Sequence, residues 1–329
     1  MRRLAIPGAA FVFRLTFNVS LITCQRSRDR LCSVGMNQMH TFLGGFRSVG
    51  AWIVGCLLLI PGLYAAGTFD VADYGAVGDG ETDDGPAIRR AVAAALEAGP
   101  GATVRFEPKV YRLDRHGSGG QPQILIEGAT GITIEGNGAA IMNNPYNGFL
   151  RVSDSKRVIM RGFFFDCDPL GFTQGTIVKT AQAEGIIWVR IHPGYDSPLD
   201  RSEHPDRRLW RVGFTLDAEQ RTLKPGPIDF INVNEITEED GLVRVKLKND
   251  SFSHIDAGDF FIMGLLYQGG SPTLQVTQSA DVLLENYTIF SAKFGMIHHF
   301  GNNHGRVYVR AAKITFRPGQ NRLITAIKD

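Results

Sequence analysis

The sequence predicts an all-β protein: a right-handed parallel β-helix with an N-terminal capping helix and an inserted antiparallel β-barrel or sandwich. Three observations carry this prediction. A short strand unit recurs, as Gly131-Ile132-Thr133-Ile134-Glu135-Gly136, Arg157-Val158-Ile159-Met160-Arg161-Gly162, Asp281-Val282-Leu283-Leu284-Glu285-Asn286 and Arg306-Val307-Tyr308-Val309-Arg310. Its period is nearly constant, since Ile132 to Val158 is 26 residues and Val282 to Val307 is 25. Strands so short cannot bury an apolar face alone, and stacking copies in parallel solves the problem. Third, Val158 and Val282 lie 124 residues apart. One rung explains about 25 of these, and the excess of roughly 98 is the size of an inserted subdomain.

Composition agrees with a packed, turn-rich chain. The 329 residues are 43% hydrophobic and 21% charged, enough for an ordinary core, and include 38 glycines. Formal net charge is +2 with no Lys/Arg block after residue 66, so a nucleic-acid partner has no support. Cys24, Cys32 and Cys56 precede the predicted fold and only Cys167 lies within it, which excludes an internal disulfide or a cysteine-based zinc site there.

Residues 1–66 are assigned to a mis-annotated start and a secretory signal peptide. The run GAWIVGCLLLIPGLYAAG from Gly50 to Gly67 follows Arg47 and ends in small residues, the order of a cleavable export signal. Translation is expected to begin at Met36 or Met39 and cleavage to fall near Ala65 or Ala66, giving an extracytoplasmic product. An uncleaved anchor and a lipoprotein box around Cys56 are the alternatives, but Pro61 and Gly62 leave no stable membrane span.

Residues 67–176 are expected to form the first rungs with their cap. Phe69–Gly80 reads as a short strand and a glycine-punctuated loop. A helix follows, with Thr82 or Asp83 as N-cap and Pro86 just inside it. Ile88, Val92 and Leu96, flanked by Ala91 and Ala95, give it one apolar face suited to covering a solenoid end, and Gly99-Pro100 stops it. Period-2 segments follow from Thr103 to Val158, and Phe163-Phe164-Phe165 is expected to form a bulky inner stack.

Residues 177–270 change character. Trp188–Ile191, Leu209–Phe214, Phe230–Val233 and Leu242–Leu247 alternate apolar with polar between Asp- and Gly-containing turns, which predicts an antiparallel meander closed as a barrel or sandwich. Pro193–Arg208 reads as a long surface loop. Residues 271–329 resume the solenoid from Leu274-Gln275-Val276, ending in an incomplete set of rungs with a last strand at Arg322–Ile327. An uncapped last rung is open to self-association.

The stretch Phe69-Asp70-Val71-Ala72-Asp73-Tyr74-Gly75-Ala76-Val77-Gly78-Asp79-Gly80-Glu81-Thr82-Asp83-Asp84, followed by Ala87-Ile88, resembles the N-terminal signature of secreted right-handed parallel β-helix proteins of the pectate-lyase-like superfamily. Phe165-Asp166-Cys167-Asp168-Pro169-Leu170-Gly171-Phe172-Thr173-Gln174-Gly175-Thr176-Ile177 is similar to the segment preceding the inserted barrel in bacterial β-helix exo-α-1,3-galactosidases. The resemblance implies a poly- or oligosaccharide partner and hydrolysis of a terminal α-galactoside or related bond by paired carboxylates, without a cofactor. A polysaccharide lyase, which would need calcium, and a non-catalytic glycan-binding solenoid are the alternatives. Those galactosidases carry their catalytic carboxylates on later rungs, near an Asp-Gly-x-His run. Asp329, the last residue, could match the Asp of that run, so a truncated enzyme is expected.

Glycoside hydrolysis needs two carboxyl groups flanking the scissile bond. Asp166 and Asp168 are candidates, because at i, i+2 on a strand both face one side, where they could share a proton or bind a cation; a strand end turning at Pro169 is the plainer reading. His298, His299 and His304 are the densest imidazole group and could bind a metal or contact a sugar hydroxyl, but their spacing matches no zinc pattern, and a turn lined with Gly301, Asn302 and Asn303 is the plainer reading. No metal site is expected. Asp79, Asp83 and Asp84 suit helix capping better than calcium. Trp188 and Trp210 could stack on sugar rings or fill the barrel core.

Overall fold

The computed structural model describes residues 67–117, 121–200, 210–224, 231–248, 254–265, 272–292 and 297–324. The leader over 1–66, Asp329 and the side chain of Trp210 lie outside the described residues.

The chain folds as a parallel β-helix with an inserted antiparallel barrel. One parallel sheet runs through β1 (Thr68–Asp70), β3 (Thr103–Arg105), β6 (Thr133–Asn143), β8 (Ile159–Cys167), β16 (Val282–Ile289) and β18 (Val307–Ile314). β2 (Asp79–Asp83) and β4 (Val110–Leu113) extend it beside the second half of β6. A second parallel sheet stacks β5 (Pro122–Glu127), β7 (Gly148–Ser153), β15 (Leu274–Thr277) and β17 (His298–Gly301).

The period seen in sequence is the register of the first sheet. Leu283 lies opposite Ile159, and Val282 opposite Val307. Inward positions therefore form columns: Ile134, Met160 and Leu284; Ala139, Phe163 and Tyr287; Ile141, Phe165 and Ile289, each at most 2% exposed. Phe106, Phe149, Phe163 and Phe165 pack ring to ring between the sheets, with centroids 4.8 to 5.6 Å apart. The expected triple stack of phenylalanines is corrected, because strand residues alternate between faces. Phe164 points outward and keeps 41% exposure.

Two polar ladders follow the same stacking. At the turn between sheets, Ser155 Oγ accepts from the Ala129 amide and Ser279 Oγ from the Ser155 amide, while Asn303 Oδ1 accepts from the Ser279 amide. On the outer face, Asp70, Arg105, Glu135, Arg161, Glu285 and Arg310 lie in successive register, alternating in sign. Asp70 pairs with Arg105, and Arg161 with both Glu135 and Glu285.

The capping helix α1 (Gly85–Ala98) buries Ile88, Ala91, Val92 and Ala95 on the first rungs. Its N-cap is Asp84, not Thr82 or Asp83. The Asp84 carboxylate is turned into the loop instead, where it accepts from the Val77 and Gly78 amides at 2.6 and 3.1 Å. Burial raises its pKa against those bonds. Asp83 Oδ1 accepts from the Gly85 amide at 3.0 Å.

The barrel comprises β9 (Phe172–Ala181), β10 (Ile186–Ile191), β11 (Trp210–Leu216), β12 (Ile231–Glu239), β13 (Leu242–Leu247) and β14 (Phe260–Leu265), closed in the order β10-β13-β12-β11-β14-β9. It is not a simple meander, since β10 pairs with β13 while β11 pairs with β12 and β14. The long connection after β10 lets the chain cross over before β11 begins. Ile187, Val189, Val245, Phe261 and Met263 fill the interior. A second apolar cluster lies on the other face of those strands, where Phe172, Phe214 and Ile262 meet Leu323 and Ile324.

Residues 322–324 are not strand: the last described strand is β18, and residues 315–324 form a strap. The strap crosses from the β-helix to the outer barrel face. On the last described rung the inward-column positions Phe300, Val309 and Ile314 retain 40, 40 and 42% exposure.

Candidate functional site

Where β8 hands the chain to β9, the strap closes over an outward-facing carboxylate. Phe163 and Phe165 point into the core, so Asp166 points out, yet it is 3% exposed because residues of the strap cover it. Arg322 grips it with two bonds, Nη1 to Oδ1 at 2.7 Å and Nη2 to Oδ2 at 3.0 Å. Arg317 Nη1 donates to Oδ2 at 2.8 Å, Ser291 Oγ to Oδ1 at 2.5 Å, and the Cys167 amide to Oδ1 at 2.9 Å. Burial alone would raise this pKa, but the bonds from Arg322 and Ser291, the Arg322 charge and the Cys167 amide together hold it below its ordinary value. Cys167 beside it is buried, and desolvation pushes its thiol up to about 12, which leaves it inert.

The same strap is fastened to the barrel by a buried amide. Gln174 Nε2 donates to the Asn321 carbonyl at 2.9 Å and Gln174 Oε1 accepts from the Leu323 amide at 2.9 Å. Gln174 Nε2 also meets His192 Nδ1 at 3.2 Å, and Thr176 Oγ1 meets His192 Nε2 at 2.9 Å. With the amide as donor, Nδ1 accepts and Nε2 carries the proton toward Thr176. Desolvation lowers the His192 pKa, in keeping with a neutral ring.

Beside this junction opens a cavity of about 420 Å³. Met142 of β6 lies on one side. Asp168 and Leu170 of the β8–β9 link, Tyr195 and Asp196 of the loop after β10, and Arg317, Asn321 and Arg322 of the strap form the rest of the wall. Asp168 is half-exposed and pairs with Arg112 at 2.9 Å. Arg322 Nε is buried with no protein acceptor among the described residues. The lining thus offers guanidinium, carboxylate, phenol and amide groups around a space large enough for a sugar ring.

The structure separates the residues singled out by sequence. Asp166 and Asp168 do share a strand end, but each carboxylate has its own arginine partner. Arg317 and Arg322 hold Asp166 and Arg112 holds Asp168, and for Asp166 the expectation of a raised pKa is corrected to a lowered one. Among the described residues no group of three or more His, Cys, Asp or Glu side chains is placed to hold a metal ion. His298 occupies an inward column at the last rung, bonded to Tyr287 Oη at 2.8 Å and stacked on Phe300, while His299 and His304 are exposed. Ile187 and Val189 face the barrel interior, so Trp188 faces outward, 7% exposed beneath the Lys179 ammonium at 4.3 Å. None of these lines the cavity. Arg112, Arg317, Arg322, Tyr195 and Asp196 were not singled out. The one signal available was an unpaired aspartate at an outward strand position next to a phenylalanine run.

No protein-family model matches the chain. Over 80 residues, 24% of this chain, it is 35% identical to mannuronan C5-epimerase AlgE3 of Azotobacter vinelandii, and over 76 residues, 23% of the chain, it is 36% identical to AlgE1 of that organism. These matches span only 4 and 5% of the relatives' own lengths. Among solved structures, the A-module of the A. vinelandii mannuronan C-5 epimerase AlgE6 aligns with 75% of this chain and 56% of its own, at 13% identity and TM-score 0.32. PfbA, a surface adhesin of Streptococcus pneumoniae, aligns with 76% of this chain and 62% of its own, at 11% identity and TM-score 0.27. No helix among the described residues is long and apolar enough to cross a membrane.

Proposed function

We propose that this is an exported carbohydrate-active β-helix protein that takes a poly- or oligosaccharide into the cavity between strap, β8–β9 link and barrel. The observation that carries the reading is that cavity, about 420 Å³, with Arg317, Asp168, Asp196 and Tyr195 on its walls. Arg317 and Asn321 supply donors and acceptors for sugar hydroxyls, and Met142 and Leu170 supply apolar surface. The local likeness to polysaccharide-modifying epimerases supports a glycan, and the apolar run from Gly50 to Gly67 supports export.

Hydrolysis of an α-galactoside is the second reading, favoured by the segment Phe165–Ile177 and by two carboxylates on the cavity wall. Asp168, half-exposed beside Arg112, and Asp196 would be the acid and base or nucleophile, since Asp166 is buried beneath Arg317 and Arg322. Purified protein titrated with α-1,3-galacto-oligosaccharides and mannuronan oligomers is expected to bind at least one series saturably, and Arg317→Ala to abolish it. Absence of saturable binding to any glycan would sink the first reading. Release of free galactose, lost in Asp168→Asn and Asp196→Asn, would establish the second; binding without release would remove it.

A further inference from the structure

We propose a second sugar subsite on the outer face of the first parallel sheet, over Ala140, for the neighbouring pyranose ring of the same glycan chain. It rests on the glycan reading of the cavity and extends it from one ring to a chain.

Three outward positions lie in register across β4, β6 and β8: Val110, Ala140 and Phe164. The outer two are large and exposed, Val110 at 40% and Phe164 at 41%, while the middle one is a methyl group. Strands two apart are separated by roughly 9–10 Å, so the column forms a slot with apolar walls and a shallow floor. Nothing in folding requires two large apolar side chains to stand exposed on either side of an alanine.

The Phe164 ring has an aromatic neighbour beyond the end of β16. Phe290 lies parallel to it, 5° between planes and 6.1 Å between centroids, so the two rings are offset and extend one aromatic surface beside Ala140. An aromatic face held in that way suits the C–H side of a pyranose, which offers apolar hydrogens while its hydroxyls stay in water.

The slot adjoins the cavity along β6. Ala140 and Met142 point out from β6 two residues apart, roughly 6.6 Å along the strand, and Met142 lines the cavity. A ring held among Arg317, Asn321 and Tyr195 would place its neighbour over Ala140 without a bend in the chain.

The test is isothermal titration calorimetry with α-1,3-galacto-oligosaccharides and mannuronan oligomers of increasing length, starting from the single sugar. For the series that binds, affinity is expected to rise from one ring to two or three. Phe164→Ala should weaken the longer ligands about five- to tenfold and leave the single sugar unchanged. Ala140→Leu, which fills the slot, should do the same, and Phe164→Tyr should restore binding. Both sites are on the surface, so thermal melts should match the parent. If the oligomers bind but neither substitution changes the length dependence, the subsite is wrong and the cavity reading stands. If no glycan of any length binds, the cavity reading fails and takes the subsite with it.

Discussion

The β-helix and the inserted barrel solve the same problem in opposite ways. In the β-helix each strand finds its partner about one rung away in sequence, or 124 residues away across the insertion, and the pairing is parallel throughout. Equivalent positions stack, so apolar side chains follow one another up a column, as Ile134, Met160 and Leu284 do inside, and opposite charges can alternate, as from Asp70 to Arg310 outside. The barrel instead pairs antiparallel strands around a closed ring, with register shifts at Trp188/Val189, Trp210/Val212 and Val233/Glu235; the β-helix shows such shifts at Glu135/Ala139 and Asp79/Asp83. Closure removes its edges, whereas the solenoid's strands stack in open sheets. The difference teaches that a column distributes stability along the molecule, while a barrel concentrates it. The join between them needs its own device, which is Asp166 with its two arginines.

That join is where the comparison breaks most sharply. Asp166→Ala leaves the Arg322 guanidinium buried without its counter-charge and is expected to cost about 3–5 kcal/mol. The two regions should also lose their common transition. In urea, the fluorescence of Trp188 and Trp210, measured with Trp52 replaced by phenylalanine, reports the barrel, and far-UV circular dichroism reports all strands. In the parent the two curves should coincide; in Asp166→Ala they should separate. Coincident curves at an unchanged midpoint would show that the strap is decoration.

A smaller effect comes from acid, and it sharpens the same contrast because both titrating groups sit at the join. His192 has a folded pKa below its ordinary 6.5, so the folded state binds fewer protons and its stabilisation is lost as pH falls below 6.5 through the folded value. Asp166 is also depressed, from 3.8, so its contribution is present above 3.8 and lost only as pH falls through the lower folded value. Asp84 opposes this, since its raised pKa favours the folded state on protonation. Strap release, read by proteolysis after Arg317 or Arg322, should therefore begin below pH 6.5 and complete in stronger acid. His192→Gln should delete the first step alone. A first step that survives in His192→Gln would assign it elsewhere.

The solenoid was legible because its repeat leaves a trace at every rung, and the spacing of 26, 124 and 25 residues is the observed register. The alternation that sends Phe164 out was equally present, but the three phenylalanines together suggested one buried stack. Barrel strands could be found from their period, but not their order, since short turns specify neighbours and the long connection after β10 does not. Asp240-Gly241, both with positive φ, joins β12 to β13 and is the kind of signal that does. Arg322 reaches Asp166 across 156 residues, and nothing in either local sequence announces the other. A carboxylate site read from local spacing thus became an ion pair once the strap was in place.

The smallest expected effect tests whether the outer column is more than decoration. Arg161 bonds Glu135 and lies 3.7 Å from Glu285, but its side chain is 47% exposed, so Arg161→Ala should cost no more than about 1 kcal/mol. Arg161→Glu differs in kind. It sets three acids side by side at strand spacing, where like charges directly opposite destabilise. Its deficit relative to Arg161→Ala should shrink as salt is raised toward 1 M, where the screening length falls to about 3 Å. Arg244, whose ion pair with Glu239 at 3.4 Å lies within one barrel hairpin, is the control, because no column extends the charge beyond that pair. If Arg244→Glu and Arg161→Glu respond alike to salt, the alternation along the solenoid adds nothing to pairwise attraction. If only Arg161→Glu does, the column acts as a unit and favours the rung order in which opposite charges meet.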